Sequence, residues 1–117
     1  MASLFTKVSK YLEANSKTWD AEQDKIILQN DSDGNGDYIK VWTVSGLDKP
    51  TDEQIASYET AGNTQETLNG VLSTRKNSYK DFGYQLDLLY HDMTAGKLDA
   101  TGEWHKHIKA VKDANPK

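Results

Sequence analysis

One stretch of the chain limits the folds open to it. Lys25-Ile26-Ile27-Leu28-Gln29 and Asp37-Tyr38-Ile39-Lys40-Val41-Trp42-Thr43-Val44 are rich in β-branched and aromatic residues, and between them lies Asn30-Asp31-Ser32-Asp33-Gly34-Asn35-Gly36. Gly, Asn and Asp tolerate positive φ, so the middle segment is a turn and residues 25–44 read as a β-hairpin. No other region is strand-like. By simple alternation Tyr38, Trp42 and Val44 share one face of the second strand and Ile39 and Val41 the other, so neither side is plainly a solvent side. A lone two-stranded ribbon is marginal in water. Helices of the same chain, or a partner, must therefore cover it.

The remaining sequence supplies helices. Leu4, Phe5, Val8, Tyr11 and Leu12 recur at three- and four-residue steps, which predicts an amphipathic helix over residues 1–15. That helix either docks on its own core or reaches a neighbouring subunit. Thr51 with Gln54 has capping-box spacing behind Pro50, predicting a helix through Ile55 and Tyr58 that ends near Gly62-Asn63. Asn63 with Glu66 is a second cap signature, leading into Leu68, Val71 and Leu72, although Gly70 costs this helix about 1 kcal/mol relative to alanine. Phe82, Leu86, Leu89 and Met93 form the next stripe, widened by Leu88 and Tyr90, with Gly96-Lys97 as its stop. Thr101 is expected to cap a last helix bearing Trp104, Ile108 and Val111, with Trp104 in the core. The expectation is an α+β protein of 117 residues in a single domain, with an N-terminal amphipathic helix, one β-hairpin and three to four helices over residues 51–114 ending in an αα-hairpin.

Most chemistry is absent from the residue pattern. Without cysteine there is no thiol nucleophile, disulfide or thiolate metal site. Asp31, Asp33, Asn35 and Asp37 match the first half of an EF-hand calcium loop, but the twelfth position is Trp42 and the flanks are strands. They make at most a weak calcium candidate, and no other metal or cofactor is expected. Gly34 and Gly36 start no dinucleotide fingerprint, because Ile39 stands where its third glycine belongs. His105 and His107 lie roughly 200° apart on a helix and cannot ligate one ion as i, i+4 histidines do. No catalytic residue emerges, so the protein is expected not to be an enzyme.

Charge narrows the partners. The formal charge is −4, with Lys-rich residues 97–117 at +2 against −6 for the rest, and the pI is about 5.3. That balance argues against nucleic acid. Ile26-Ile27-Leu28 is the longest aliphatic run, and Met1-Ala2-Ser3 lacks a basic-then-apolar signal layout, so neither a membrane span nor a cleaved leader is expected. A mean hydropathy of −0.79 implies a lean core. Phe5, Val8, Tyr11 and Leu12 on the first helix and Tyr38 and Trp42 on the hairpin are the candidate interface residues, Trp42 first among them.

Two stretches carry a family resemblance. Ile27 through Ile55, with its Asn/Asp/Gly turn, Tyr-Ile-Lys-Val-Trp strand and Lys49-Pro50-Thr51-Asp52-Glu53-Gln54-Ile55, resembles the XkdW-like small proteins of tailed bacteriophages and defective prophages. Tyr79 to Lys117, notably Gln85-Leu86-Asp87-Leu88-Leu89-Tyr90-His91-Asp92-Met93 and Gly96-Lys97-Leu98, is similar to a helical segment recurring in small phage proteins and tail-fibre-linked proteins. It departs from the usual segment at Lys80 and Asp81, where prolines are common, and at Tyr90, where tryptophan is common. The resemblance implies a non-enzymatic structural protein of the phage tail, baseplate or fibre-attachment region, made in the host cytoplasm and residing in the virion. Its partners would be other virion proteins and further copies of itself. A tail-fibre assembly chaperone absent from the mature particle is the alternative, and an acidic inhibitor of a host protein a third.

Overall fold

A computed structural model describes residues Met1–Lys117 as six α-helices and one two-stranded antiparallel sheet, an α+β layout. The order is α1 (Leu4–Ala14), α2 (Trp19–Glu22), a 3-10 turn (Gln23–Lys25), β1 (Ile26–Asn30), β2 (Asp37–Trp42), α3 (Asp52–Ala56), α4 (Glu59–Ser78), α5 (Phe82–Thr94) and α6 (Glu103–Ala114). The chain gathers into two compact units, Met1–Glu66 and Thr67–Lys117, where the sequence suggests one domain. The division falls within α4.

In the N-terminal unit, α1 begins at Ser3, whose Oγ accepts the Thr6 amide (3.2 Å). It ends with Ser16 at φ 61°, the Ser16 and Lys17 amides donating to the Glu13 and Leu12 carbonyls (3.1 and 2.9 Å). This is a Schellman stop with serine in the position that glycine usually fills. Val8 and Leu12 are fully buried and form the core with Ile26, Ile39 and Val44, while Leu4, Trp19, Leu28, Trp42, Leu47 and Ile55 pack around it. The first helix therefore docks on its own chain.

The hairpin hides one face only. Ile26 pairs with Trp42 and Ile27 with Val41, but Leu28 pairs with Ile39, so Lys40 is an unpaired bulge residue. A bulge inserts one residue and reverses the alternation beyond it. Ile39, Trp42 and Val44 thereby join Ile26 and Leu28 on the covered side, and Tyr38 and Ile27 go to the exposed one. The two-faced ribbon suggested by plain alternation is corrected by this single residue.

The capping box at α3 forms as its spacing predicts: the Gln54 amide donates to Thr51 Oγ1 (3.2 Å) and the Thr51 amide to Gln54 Oε1 (2.8 Å). The expected break at Gly62-Asn63 does not occur, since α4 runs through both. Gly62 instead admits the N-terminus: a Cβ there would stand 2.7 Å from the Ala2 Cβ. Nor does Glu66 cap a helix at Asn63. It accepts from the Ser3 amide (2.8 Å) and the Thr6 hydroxyl (2.7 Å), while Glu59 accepts from the Ala2 amide (2.9 Å) and pairs with Lys7 (3.1 Å). The start of α1 is clamped between two carboxylates of α4.

Candidate functional site

The six residues expected at an interface divide between core and surface. Val8, Tyr11 and Leu12 are buried, and the Tyr11 hydroxyl donates to the Asp48 carbonyl (2.8 Å). Burial, reinforced by Asp48 and Tyr58, raises the Tyr11 pKa above its ordinary value. Trp42 packs on the Tyr11 ring at 6.0 Å and its indole N–H donates to the Leu47 carbonyl (2.8 Å). A side chain with its one polar atom satisfied inside the unit is an anchor of the fold. Val8, Tyr11 and Leu12 are taken up by the core and Trp42 is half-buried against it, because the stripe that marks α1 is the stripe that holds α1 and the hairpin together. Phe5 and Tyr38 are exposed, Phe5 resting edge-on against Trp19 at 4.8 Å.

The turn acids make a hydrogen-bonded loop. Asp33 accepts the Asn35 amide (3.0 Å) and side chain (3.0 Å), Asp31 accepts the Tyr38 hydroxyl (2.8 Å) and a Gln29 amide hydrogen, and Asp37 accepts from the Asn30 side chain (2.8 Å). The bonds from Gln29 and then Tyr38 lower the Asp31 pKa, and those from Asn35 lower that of Asp33. No three His, Asp or Glu side chains of the chain converge on a metal position. The proposed calcium oxygens instead serve the local turn geometry.

The C-terminal unit differs in kind. Only Val111 among its large apolar residues is buried. Residues turn roughly 100° apiece around a helix, so Gln85, Leu88 and Asp92 lie roughly 100° around α5 from Phe82, Leu86 and Met93. The first set is half-buried or buried, with Gln85 and Asp92 bonded to residues of α6; of the second, Phe82 is 77% exposed, Leu86 47% and Met93 59%. Tyr90 beside them is 65% exposed. Leu89, at the border of the two sets, also lines a groove of about 610 Å³ with Leu98, Ala100, Trp104 and Ile108, rimmed by Lys97, Asp99 and His105. Leu98 and Trp104 are themselves 63% and 37% exposed, which corrects the expectation that Trp104 is core.

A buried carboxylate builds this groove. Asp92, on the inner side of α5, accepts the amides of Glu103 (3.0 Å) and Trp104 (2.9 Å), so it caps α6 from another helix. Residue 102, at the cap position itself, is a glycine with no oxygen to offer, and a Cβ on it would stand 2.3 Å from the Lys97 carbonyl oxygen and 2.6 Å from Asp92 Oδ2. Thr101, expected as the cap, is turned to Asp99: its hydroxyl and its amide (2.8 Å) both donate to Asp99 Oδ1, and these bonds, the hydroxyl's first, lower the Asp99 pKa. Gly96, at φ 70°, ends α5 in a Schellman stop, Lys97 donating to the Asp92 carbonyl (2.7 Å) and Gly96 to Met93 (3.2 Å).

The histidines are dispersed. His107 accepts the Lys80 amide (3.2 Å) between the rings of Tyr79 and Tyr84, His91 is 3.5 Å from Asp87 on exposed α5, and His105 sits at the groove. A second depression, about 630 Å³, lies in the N-terminal unit by Leu4, Tyr38, Pro50 and Ile55. What the C-terminal arrangement can do chemically is receive an apolar surface. The sequence places its interface candidates on the first helix and the hairpin, assigns Trp104 to the core, and does not single out Asp92 or Leu98 as site residues. The available signal was that apolar residues occupy more of the α5 circumference than one neighbouring helix can cover.

No known protein family, curated protein or solved structure matches this chain. No helix is long and apolar enough to cross a membrane.

Proposed function

We propose that this protein is a non-enzymatic structural component of the tail, baseplate or fibre-attachment region of a bacteriophage, acting through protein–protein packing. The observation that carries the reading is the apolar face of α5 with its adjoining groove. Exposed contiguous patches beyond about 300–600 Å² mark interaction sites in soluble proteins. The resemblance of residues 27–55 and 79–117 to small phage tail proteins supplies the kind of assembly. On this reading the N-terminal unit is a self-supporting body, and the α5–α6 hairpin is the part that docks.

Mass spectrometry of purified virions tests the role. Stoichiometric recovery in the particle is the expected result. Recovery only from infected lysate, bound to a fibre protein, would transfer the chain to assembly chaperones, and absence from both fractions would overturn the reading.

A further inference from the structure

The partner of the α5 face can be named from the face itself. Phe82, Leu86, Leu89 and Met93 are spaced four, three and four, an order that reads the same in both directions. Two copies of α5 laid antiparallel about a two-fold axis between Leu86 and Leu89 therefore match: Leu86 of each meets Leu89 of the other, and Phe82 meets Met93. The end contacts pair an aromatic ring with a polarizable thioether, a favourable combination. Antiparallel alignment also sets each helix N-terminus beside the other's C-terminus.

Charge and area fit the same occupant. Within about 70° of the stripe centre the α5 side chains are Phe82, Gln85, Leu86, Leu89, Tyr90 and Met93, none of them charged, while Asp87 and His91 project from the far side. Along the α5 stripe a second copy therefore brings no like charge into the contact. Phe82, Leu86, Tyr90, Met93, Leu98 and Trp104 together expose on the order of 800 Å², close to what each partner contributes to a standard interface.

We propose that the protein forms a two-fold symmetric homodimer through antiparallel α5–α5′ packing, with the contact continuing through Leu89 toward the Leu98–Trp104 groove. The proposal rests on the packing role of the α5 face and specifies a second copy as the occupant. Such an isologous contact closes at two subunits, and each substitution within it counts twice.

Sedimentation equilibrium of the full chain over a wide concentration range, with circular dichroism of every variant, is the test. The unsubstituted chain should be a dimer at micromolar concentration. Leu86→Glu should raise the dissociation constant about 100-fold or more with helix content retained. Phe82→Lys and Met93→Glu should each weaken association, and the chain carrying both should regain it, because antiparallel register sets the new cation against the new anion at each end. An unsubstituted chain that stays monomeric at high micromolar concentration, or a double variant no tighter than either single one, overturns self-pairing. If that chain is monomeric yet Leu86→Glu abolishes its recovery in virions, self-pairing fails while the packing role stands, with a heterologous protein on the face.

Discussion

At the scale of single residues, two positions show backbone geometry and side-chain chemistry in opposite relations. Ser16 occupies a left-handed position, φ 61°, at the end of α1, where a Cβ is penalised. Ser16→Gly should stabilise the protein by about 1 kcal/mol, read as a higher denaturant midpoint with an unchanged slope. Gly102 is the reverse case, a position where the Lys97 carbonyl leaves no room for a side chain. Gly102 and Asp92 act as a pair, the glycine allowing the carboxylate close enough to hold the Glu103 and Trp104 amides. Asp92→Ala should cost about 1–2 kcal/mol, the value of a helix cap with two donors left unmet. Gly102→Ala should cost more, since the obstructing atom belongs to the backbone. Amide exchange along α6 reads both, and unchanged exchange at Glu103 and Trp104 in Asp92→Ala would mean that Asp92 does not cap this helix.

At the scale of elements, α1 is held to α4 by groups that titrate. Glu59 is lowered from its ordinary value near 4.5, first by the Ala2 amide and then by Lys7; Glu66 is lowered first by the Ser3 amide and then by the Thr6 hydroxyl. A carboxylate whose folded pKa lies below its unfolded one contributes stability that is complete above the unfolded value and is lost as pH falls through the folded value. Stability from this clamp should therefore be level from pH 7 to about 5 and decline below about 4.5. The doubly substituted Glu59→Gln, Glu66→Gln chain should be less stable at pH 7 and show a flatter acid limb. An acid limb identical to that of the unsubstituted chain would assign the loss to other carboxylates.

Elements also show what the sequence makes legible. The Thr51–Gln54 box and the Gly96-Lys97 stop are readable because each is settled within a few residues of backbone. Gly62 reads as a breaker yet lies inside α4, because its purpose, admitting Ala2, depends on a residue sixty positions away. The Lys40 bulge escapes a two-residue alternation count and reverses the side to which Ile39 belongs. On α5 the periodicity predicts a helix and marks Phe82, Leu86 and Met93 as one stripe. Period alone carries no information on what covers a stripe, so it does not show that the α1 stripe is covered within its own unit while Phe82, Leu86 and Met93 stay exposed.

For the whole molecule, the two units bury apolar surface very unequally. The N-terminal unit has a core of five buried apolar side chains drawn from α1, both strands and the segment after β2. The C-terminal unit, about fifty residues in length, has Val111 as its one buried large apolar side chain, and domains near that size are marginal without added burial. A unit that leaves Phe82, Tyr90, Met93 and Leu98 in water gains most from a partner. The first unit is thus expected to fold for itself and the second to be completed by association.

Residue-resolved hydrogen exchange on the full chain, first dilute and then at a concentration that drives association, tests this most directly. Amides of Val8–Leu12 and Ile39–Trp42 should exchange slowly in both states, whereas those of Leu86–Met93 should exchange much faster when dilute and slow markedly when concentrated. Equal protection of α5 and α1 in the dilute monomer, unaltered by concentration, would contradict the claim that the C-terminal unit is finished by something it binds.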